Sequence, residues 1–171
     1  MRVIKLAIIS FIILFLLVTG FSLLIPGNVK ISKATNIAAT DTGIFFYVQN
    51  LKEWKQWHPA FKEIQEADFE VINNETIKVK GTTIVVKERN SDELLTEISG
   101  NGSRPILNSI KILRHQQGDS STLQWYMGFQ LKWYPWEKFK TLFYENFYGV
   151  QMEQGLQNLK ELSELRRSST K

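Results

Sequence analysis

The run from Leu6 to Ile25, LAIISFIILFLLVTGFSLLI, holds twenty residues and no charge. As a helix it would be about 30 Å long, the thickness of a bilayer's hydrocarbon core. A helix also satisfies its own backbone hydrogen bonds, which lipid cannot do. Pro26-Gly27 stops it, because neither residue favours continuing a helix. Arg2 and Lys5 precede the run and favour a cytoplasmic N-terminus, although Lys30 and Lys33 beyond it weaken the asymmetry. The rival reading is a cleaved signal peptide, with a shorter apolar region of about 7–15 residues and a small-residue cleavage site. Here the run is longer and ends in Leu23-Leu24-Ile25-Pro26. A buried core helix is the third reading. The expected arrangement is an uncleaved anchor over residues 1–27, crossing the membrane through residues 6–25. One domain, residues 28–171, follows outside the cytoplasm; in a Gram-negative cell that is the periplasm.

The remainder is long enough to bury a core without staples. The chain has no cysteine, so disulfides, thiolate metal sites and a cysteine nucleophile are excluded. Its net charge of +4 is not gathered into one patch; Lys52, Glu53, Lys55, Lys62 and Glu63 alternate, as on a solvated surface. No nucleic-acid partner is expected. His58 and His115 are the only histidines, and neither sits in a cluster at metal-ligand spacing. Gly100-Asn101-Gly102 lacks the helix and lysine of a phosphate loop. No metal or cofactor is expected.

Periodicity orders the domain. Val29 to Ala39 alternates as a strand, with Val29, Ile31 and Ile37 on one side. Thr40-Asp41 can open a helix by accepting from free backbone N–H groups. Short helices follow over Gly43–Val48 and Leu51–Trp57, closed by Pro59. Strands are expected over Thr76–Lys80 and Thr83–Glu88, joined tightly at Gly81-Thr82, and over Glu93–Ser99 and Ile106–His115. Asn90-Ser91-Asp92, Ser99–Ser103 and Gln116–Ser120 read as turns or loops. The strongest pattern is Thr122–Trp133. Leu123, Trp125, Met127, Phe129, Leu131 and Trp133 share one face, and polar residues share most of the other. Pro135 opens a helical region in which Phe139, Leu142, Phe143 and Phe147 share a side. Gly149 bends or breaks it. A stripe of Val150, Leu156, Leu159 and Leu162 or Ser163 then runs toward Arg166 and Arg167, which suit the helix's negative pole. An antiparallel sheet with one apolar face needs a cover, and the long helix supplies it.

Three passages in this order carry a likeness. Leu51–Pro59 (LKEWKQWHP) is similar to a W-x-x-W-x-P element, Ser121–Trp125 (STLQW) to a T-x-v-x-W strand, and Tyr148–Lys160 (YGVQMEQGLQNLK) to a G-x-x-(F/M)-e-x-G-L-x-N-L-K helix. Together, over about residues 28–167, they resemble the START-like superfamily SRPBCC, in its polyketide cyclase/dehydrase and lipid transport branch, here in a membrane-anchored version. The resemblance implies an α+β helix-grip fold (START/Bet v-like): a curved antiparallel sheet wrapped around a long C-terminal helix, after one transmembrane helix. It also implies a cavity between sheet and helix that takes lipids, polyketides or other apolar molecules. The chain departs from the family's enzymes in showing no polar catalytic cluster at the expected inner positions, so no catalytic residue is assigned.

The expected cavity residues are Trp54, Trp57, Trp125, Met127, Phe129, Trp133, Phe143 and Phe147. Each serves equally well as packed core. Trp54 and Trp57 share a helical side, near the cavity entrance in the implied fold. His58 reads as a cap or surface residue, His115 as a solvated strand end, and Gly155 as a point of close helix–sheet approach. Three functional readings stand. A membrane-tethered binding protein for a hydrophobic small molecule or lipid needs an apolar cavity. A cyclase- or dehydrase-like enzyme needs ionisable groups converging in it. An interaction module, like the superfamily's chaperone activators, needs an exposed apolar patch.

Overall fold

The structure is a computed structural model that describes residues 2–37, 42–100, 102, 104–114 and 120–169. Thr40-Asp41, His115, the Gln116–Asp119 part of the turn, Asn101, Ser103 and the Arg166 and Arg167 side chains lie outside the described residues.

The apolar run forms helix α1, Arg2–Leu23, in which an 18-residue stretch has mean hydropathy 2.7. Its apolar side chains are exposed, Phe11 by 70% and Leu16 by 62%, and none joins the domain's core. The chain leaves α1 through Pro26-Gly27 and enters strand β1, Asn28–Ile37. Helices α2 (Thr42–Gln49), α3 (Trp54–Trp57) and α4 (Pro59–Lys62) follow, with a single 3-10 turn at Leu51–Glu53. Six strands come next: β2 (Phe69–Asn73), β3 (Thr76–Val79), β4 (Thr82–Arg89), β5 (Glu93–Ser99), β6 (Ile106–Arg114) and β7 (Ser121–Gln130). The chain ends in α5 (Pro135–Lys140), a 3-10 turn at Thr141–Phe143, a π-helical turn at Glu145–Gly149 and α6 (Val150–Ser169).

All seven strands pair antiparallel, in the order β1-β7-β6-β5-β4-β3-β2. The long return from β1 to β7 encloses everything between them, and α6 packs across β1 and β7 while α2, α3 and α4 pack on α6. This is an α+β helix-grip arrangement preceded by an apolar helix. The alternation in β7 is complete: Leu123, Trp125, Met127 and Phe129 are buried, and the residues between them are half-buried.

Three local differences from the sequence reading have physical reasons. Strand β7 ends at Gln130, where β1 has no further residue to pair, so the alternation does not extend to Trp133. The β3–β4 turn is Lys80-Gly81, with φ of 46° and 80°, the two positive values that a tight hairpin turn requires. The edge strand β2 was not expected; its face is largely exposed, so it carries no buried alternation to reveal it.

Candidate functional site

The W-x-x-W-x-P element builds one wall of the domain's interior. Both indoles find backbone partners at the end of α2: Trp54 Nε1 donates to Val48 O at 2.8 Å and Trp57 Nε1 to Tyr47 O at 3.0 Å. Asn158 of α6 donates to Trp57 O at 2.7 Å, tying this element to the long helix. The two rings meet edge-on at 5.5 Å, and both are fully buried.

His58 follows them into the interior. Its Nδ1 accepts from Ala60 N at 3.3 Å, capping α4 at the turn that Pro59 opens. That bond places the ring proton on Nε2, for which no acceptor is found among the described residues. The ring stacks on Phe61 at 4.2 Å and meets the edge of Trp125 at 5.1 Å. Burial among these rings pushes His58 down to about 3, so the imidazole is neutral. The sequence places His58 as a cap at the end of the preceding helix or on the surface; it is instead the buried N-cap of α4, because only the fold brings Trp125 to it.

Between this element, the sheet and α6 lies a cleft of about 390 Å³, inside the range of about 300–1,000 Å³ typical of small-molecule sites. The sheet contributes Val79, Ile84, Ile98, Ile106, Trp125 and Met127. The helices contribute His58, Phe61, Tyr148 and Met152, and Lys80, Thr82 and Gln151 add polar groups. Burial raises the Tyr148 phenol above its ordinary value, and Tyr144 beside it adds to the effect. The two aromatic polar groups lining the cleft are therefore uncharged at neutral pH.

Two features hold the wall in place. Trp125 Nε1 donates to buried Asn108, whose amide donates to buried Thr96 at 2.9 Å. This satisfied polar chain fixes the indole within an apolar sheet face. Gly155 of α6 lies against the same ring: a Cβ there would stand 2.6 Å from Trp125 Cζ3 and 3.2 Å from Pro59 Cδ.

Of the eight residues expected at the site, Trp125 and Met127 line the cleft. Trp54 and Trp57 stand behind its wall, and Phe129 is covered by Tyr144 and Tyr148 at 4.7 and 4.8 Å. Trp133, Phe143 and Phe147 are instead exposed, by 65%, 68% and 60%. For Trp133 the reason is the end of β7. For the phenylalanines it is helical phase: the 3-10 and π turns interrupt the regular 3.6-residue repeat, and Tyr144 and Tyr148 face inward in their place. The stripe on α6 is as expected at Leu156, Leu159 and Ser163, which are buried; only its first member differs, with Met152 buried and Val150 exposed. The lining residues Val79, Ile84 and Ile98 were missed. Each is an inner position of an alternating strand, so the signal was present but unweighted.

No protein-family model matches the sequence, and no curated protein matches it. Solved structures do. A START superfamily protein from Mycobacterium smegmatis is 16% identical, with a TM-score of 0.59 over 80% of this chain and 97% of that one. A protein of unknown function from Staphylococcus aureus is 11% identical, with a TM-score of 0.62 over 82% of this chain and 96% of that one. The two-domain aromatase/cyclase StfQ of steffimycin biosynthesis is 10% identical, with a TM-score of 0.62 over 82% of this chain and 52% of that one. At such identities the likeness establishes the fold, and the fold of this chain is START-like.

Proposed function

We propose that this chain is a membrane-tethered binding protein for a hydrophobic small molecule or lipid. Residues 1–27 are its anchor, residues 28–171 its binding domain, and the domain stands outside the cytoplasm. The observation that carries the reading is the cleft of about 390 Å³ walled by aliphatic and aromatic side chains. An apolar cleft of this size leaves side chains unburied that a domain serving only stability would pack. Its polar groups suit orientation of an apolar guest more than charge recognition: a neutral imidazole N–H, a neutral phenol, Thr82, Gln151 and one charged side chain, Lys80. The exposed apolar surface of α1 supports the tether, since such a surface has no stable place in water.

Native mass spectrometry of the full chain, released from mild detergent and then extracted, tests this reading. The expected result is a discrete added mass, identified in the extract and lost in Ile98→Glu, which puts a charge on the cleft wall. An unchanged apo mass after incubation with total lipid extract counts against it.

A further inference from the structure

We infer that the segment from Trp133 to Val150 is a second membrane contact, which seats the domain on the headgroup region of the bilayer that α1 crosses. The inference rests on the tethered reading above. Beyond α1, thirteen large apolar side chains are exposed among the described residues, and six of them fall in this one segment: Trp133, Trp136, Leu142, Phe143, Phe147 and Val150. Trp136, Phe143, Phe147 and Val150 are all exposed along this helical stretch, each by more than half. Tyr144 and Tyr148 on the opposite face pack on Phe129. A helical segment with an apolar face packed inward and another turned outward is unstable in water and suited to an interface.

Position selects the bilayer as occupant. Only Leu24 to Gly27 separate α1 from β1, so the domain has no long linker. Helix α5 packs against α1, Lys138 Nζ donates to Ile25 O at 2.7 Å, and Leu131 N donates to Gly27 O at 2.8 Å. The segment thus begins where the apolar helix ends. Its chemistry agrees. Tyr134 stacks on Trp136 at 4.9 Å and lies beside Trp133 at 5.0 Å, a cluster of the ring types that concentrate at membrane–water boundaries. The acidic groups nearby are engaged: Glu137 accepts from Lys132 N at 2.6 Å, and Glu145 pairs with Lys33 at 2.6 Å. Lys30 and Lys140 remain exposed at the same end for lipid phosphates.

The chain lacks cysteine, so single labels are easily placed. In the full chain, an environment-sensitive fluorophore is attached at Asn146→Cys, between the two phenylalanines and leaving the stripe intact, at Ile13→Cys within α1, and at Glu70→Cys on β2. The protein is reconstituted in vesicles of phosphatidylcholine with a minority of phosphatidylglycerol. Nitroxide lipids quench at shallow or deep positions, and iodide quenches from water. The expected result is deep quenching at position 13, shallow quenching at 146 with protection from iodide, and iodide quenching alone at 70. Trp136→Ser/Phe143→Ser/Phe147→Ser should reduce the shallow quenching at 146 severalfold while leaving position 13 unchanged. A label at 146 as open to iodide as the one at 70, with 13 still deep, overturns the inference and leaves the tether standing. Iodide access at 13 overturns both. Protection at 146 without lipid quenching would mean a protein partner or second copy on this face, and would also overturn it.

Discussion

His58 has a structural role and, under the proposed binding function, a recognition role in the same ring. Its Nδ1 closes the first turn of α4, which leaves its Nε2–H as a donor on a ring that lines a mainly apolar cleft. The groups facing it, Trp54, Trp57, Phe61 and Trp125, do not titrate in the acidic range, so burial alone sets its proton affinity. The unfolded chain protonates this ring near pH 6.5, the folded chain only near about 3. Between those values the unfolded state holds the extra proton, and folding stability falls with falling pH by up to about 1.4 kcal/mol per unit. Carboxylates contribute to acid sensitivity as well, so the contrast with a variant isolates the histidine. Urea denaturation from pH 7 to 4 should show a shallower loss of stability for His58→Phe than for the parent; equal slopes would mean that the ring is solvated. Gly155 is a second residue whose identity is dictated by one neighbour. Trp125 cannot yield to a new methyl group, because Asn108 holds its nitrogen and Trp57 and His58 meet its ring. Gly155→Ala should therefore destabilise by about 1–3 kcal/mol, the usual range for overpacking, despite alanine's better helix propensity. Thermal unfolding measures the difference.

Among the elements, legibility tracked how much of the signal is local. Strand β7 alternates without interruption because one face meets the helices and the other meets solvent, so period two was visible in the residues themselves. Helix α3 and the turn into α4 were visible because Pro59 and the paired tryptophans leave few alternatives. Strand β2 was invisible because an exposed edge has no apolar side to display. The cleft was only half legible. Alternation marks inner positions, but whether Met127 meets a void or a packed neighbour depends on how far α6 stands from the sheet, and that distance is set by Gly155 against Trp125. The segment after Pro135 misled for a different reason. A uniform helix would carry Phe143 and Phe147 inward, but a 3-10 turn followed by a π turn displaces the inward face by one residue. Lys33 helps hold that irregular stretch. Its ammonium bridges Glu145 and Glu153 at 2.6 Å each, with the side chain crossing over Gly149, and these bonds raise its proton affinity. A lysine on the inner side of β1 thus reaches the helix where an aliphatic residue would stop short.

At the scale of the molecule, the sheet and the apolar helix are energetically separate. None of the core residues comes from α1, which meets the domain through α5 and through the backbone ties at Ile25 and Gly27 just beyond it. A chain beginning at Ile25 keeps the ties at Ile25 and Gly27 and loses the α1–α5 contact, which lies outside the core. It should unfold cooperatively with a Tm within about 3 °C of the full chain's, a shift that corresponds to about 1 kcal/mol. The same truncation separates the two proposed membrane contacts. One interfacial patch of aromatic rings with a few lysines gives weak, reversible association, whereas a spanning helix gives insertion that is effectively permanent. The truncated chain should therefore co-sediment partially with vesicles containing phosphatidylglycerol, more weakly in high salt as lysine–phosphate attraction is screened. It should not co-sediment when Trp136, Phe143 and Phe147 are replaced by serine. Sheet register adds a consequence for ligand access. Asn28 pairs with Gln130 and Leu107 with Gly128, Ile98 pairs with Ile106, and Thr83 with Ser99. The strand ends that carry Thr82, Gly100 and Ile106 of the cleft are therefore the same ends of their strands that lie toward α1. If guests pass between cleft and bilayer at this end, the serine variant of the full chain should exchange a fluorescent fatty acid with vesicles more slowly than the parent while binding it equally well at equilibrium. Equal exchange rates would instead assign loading to the aqueous side.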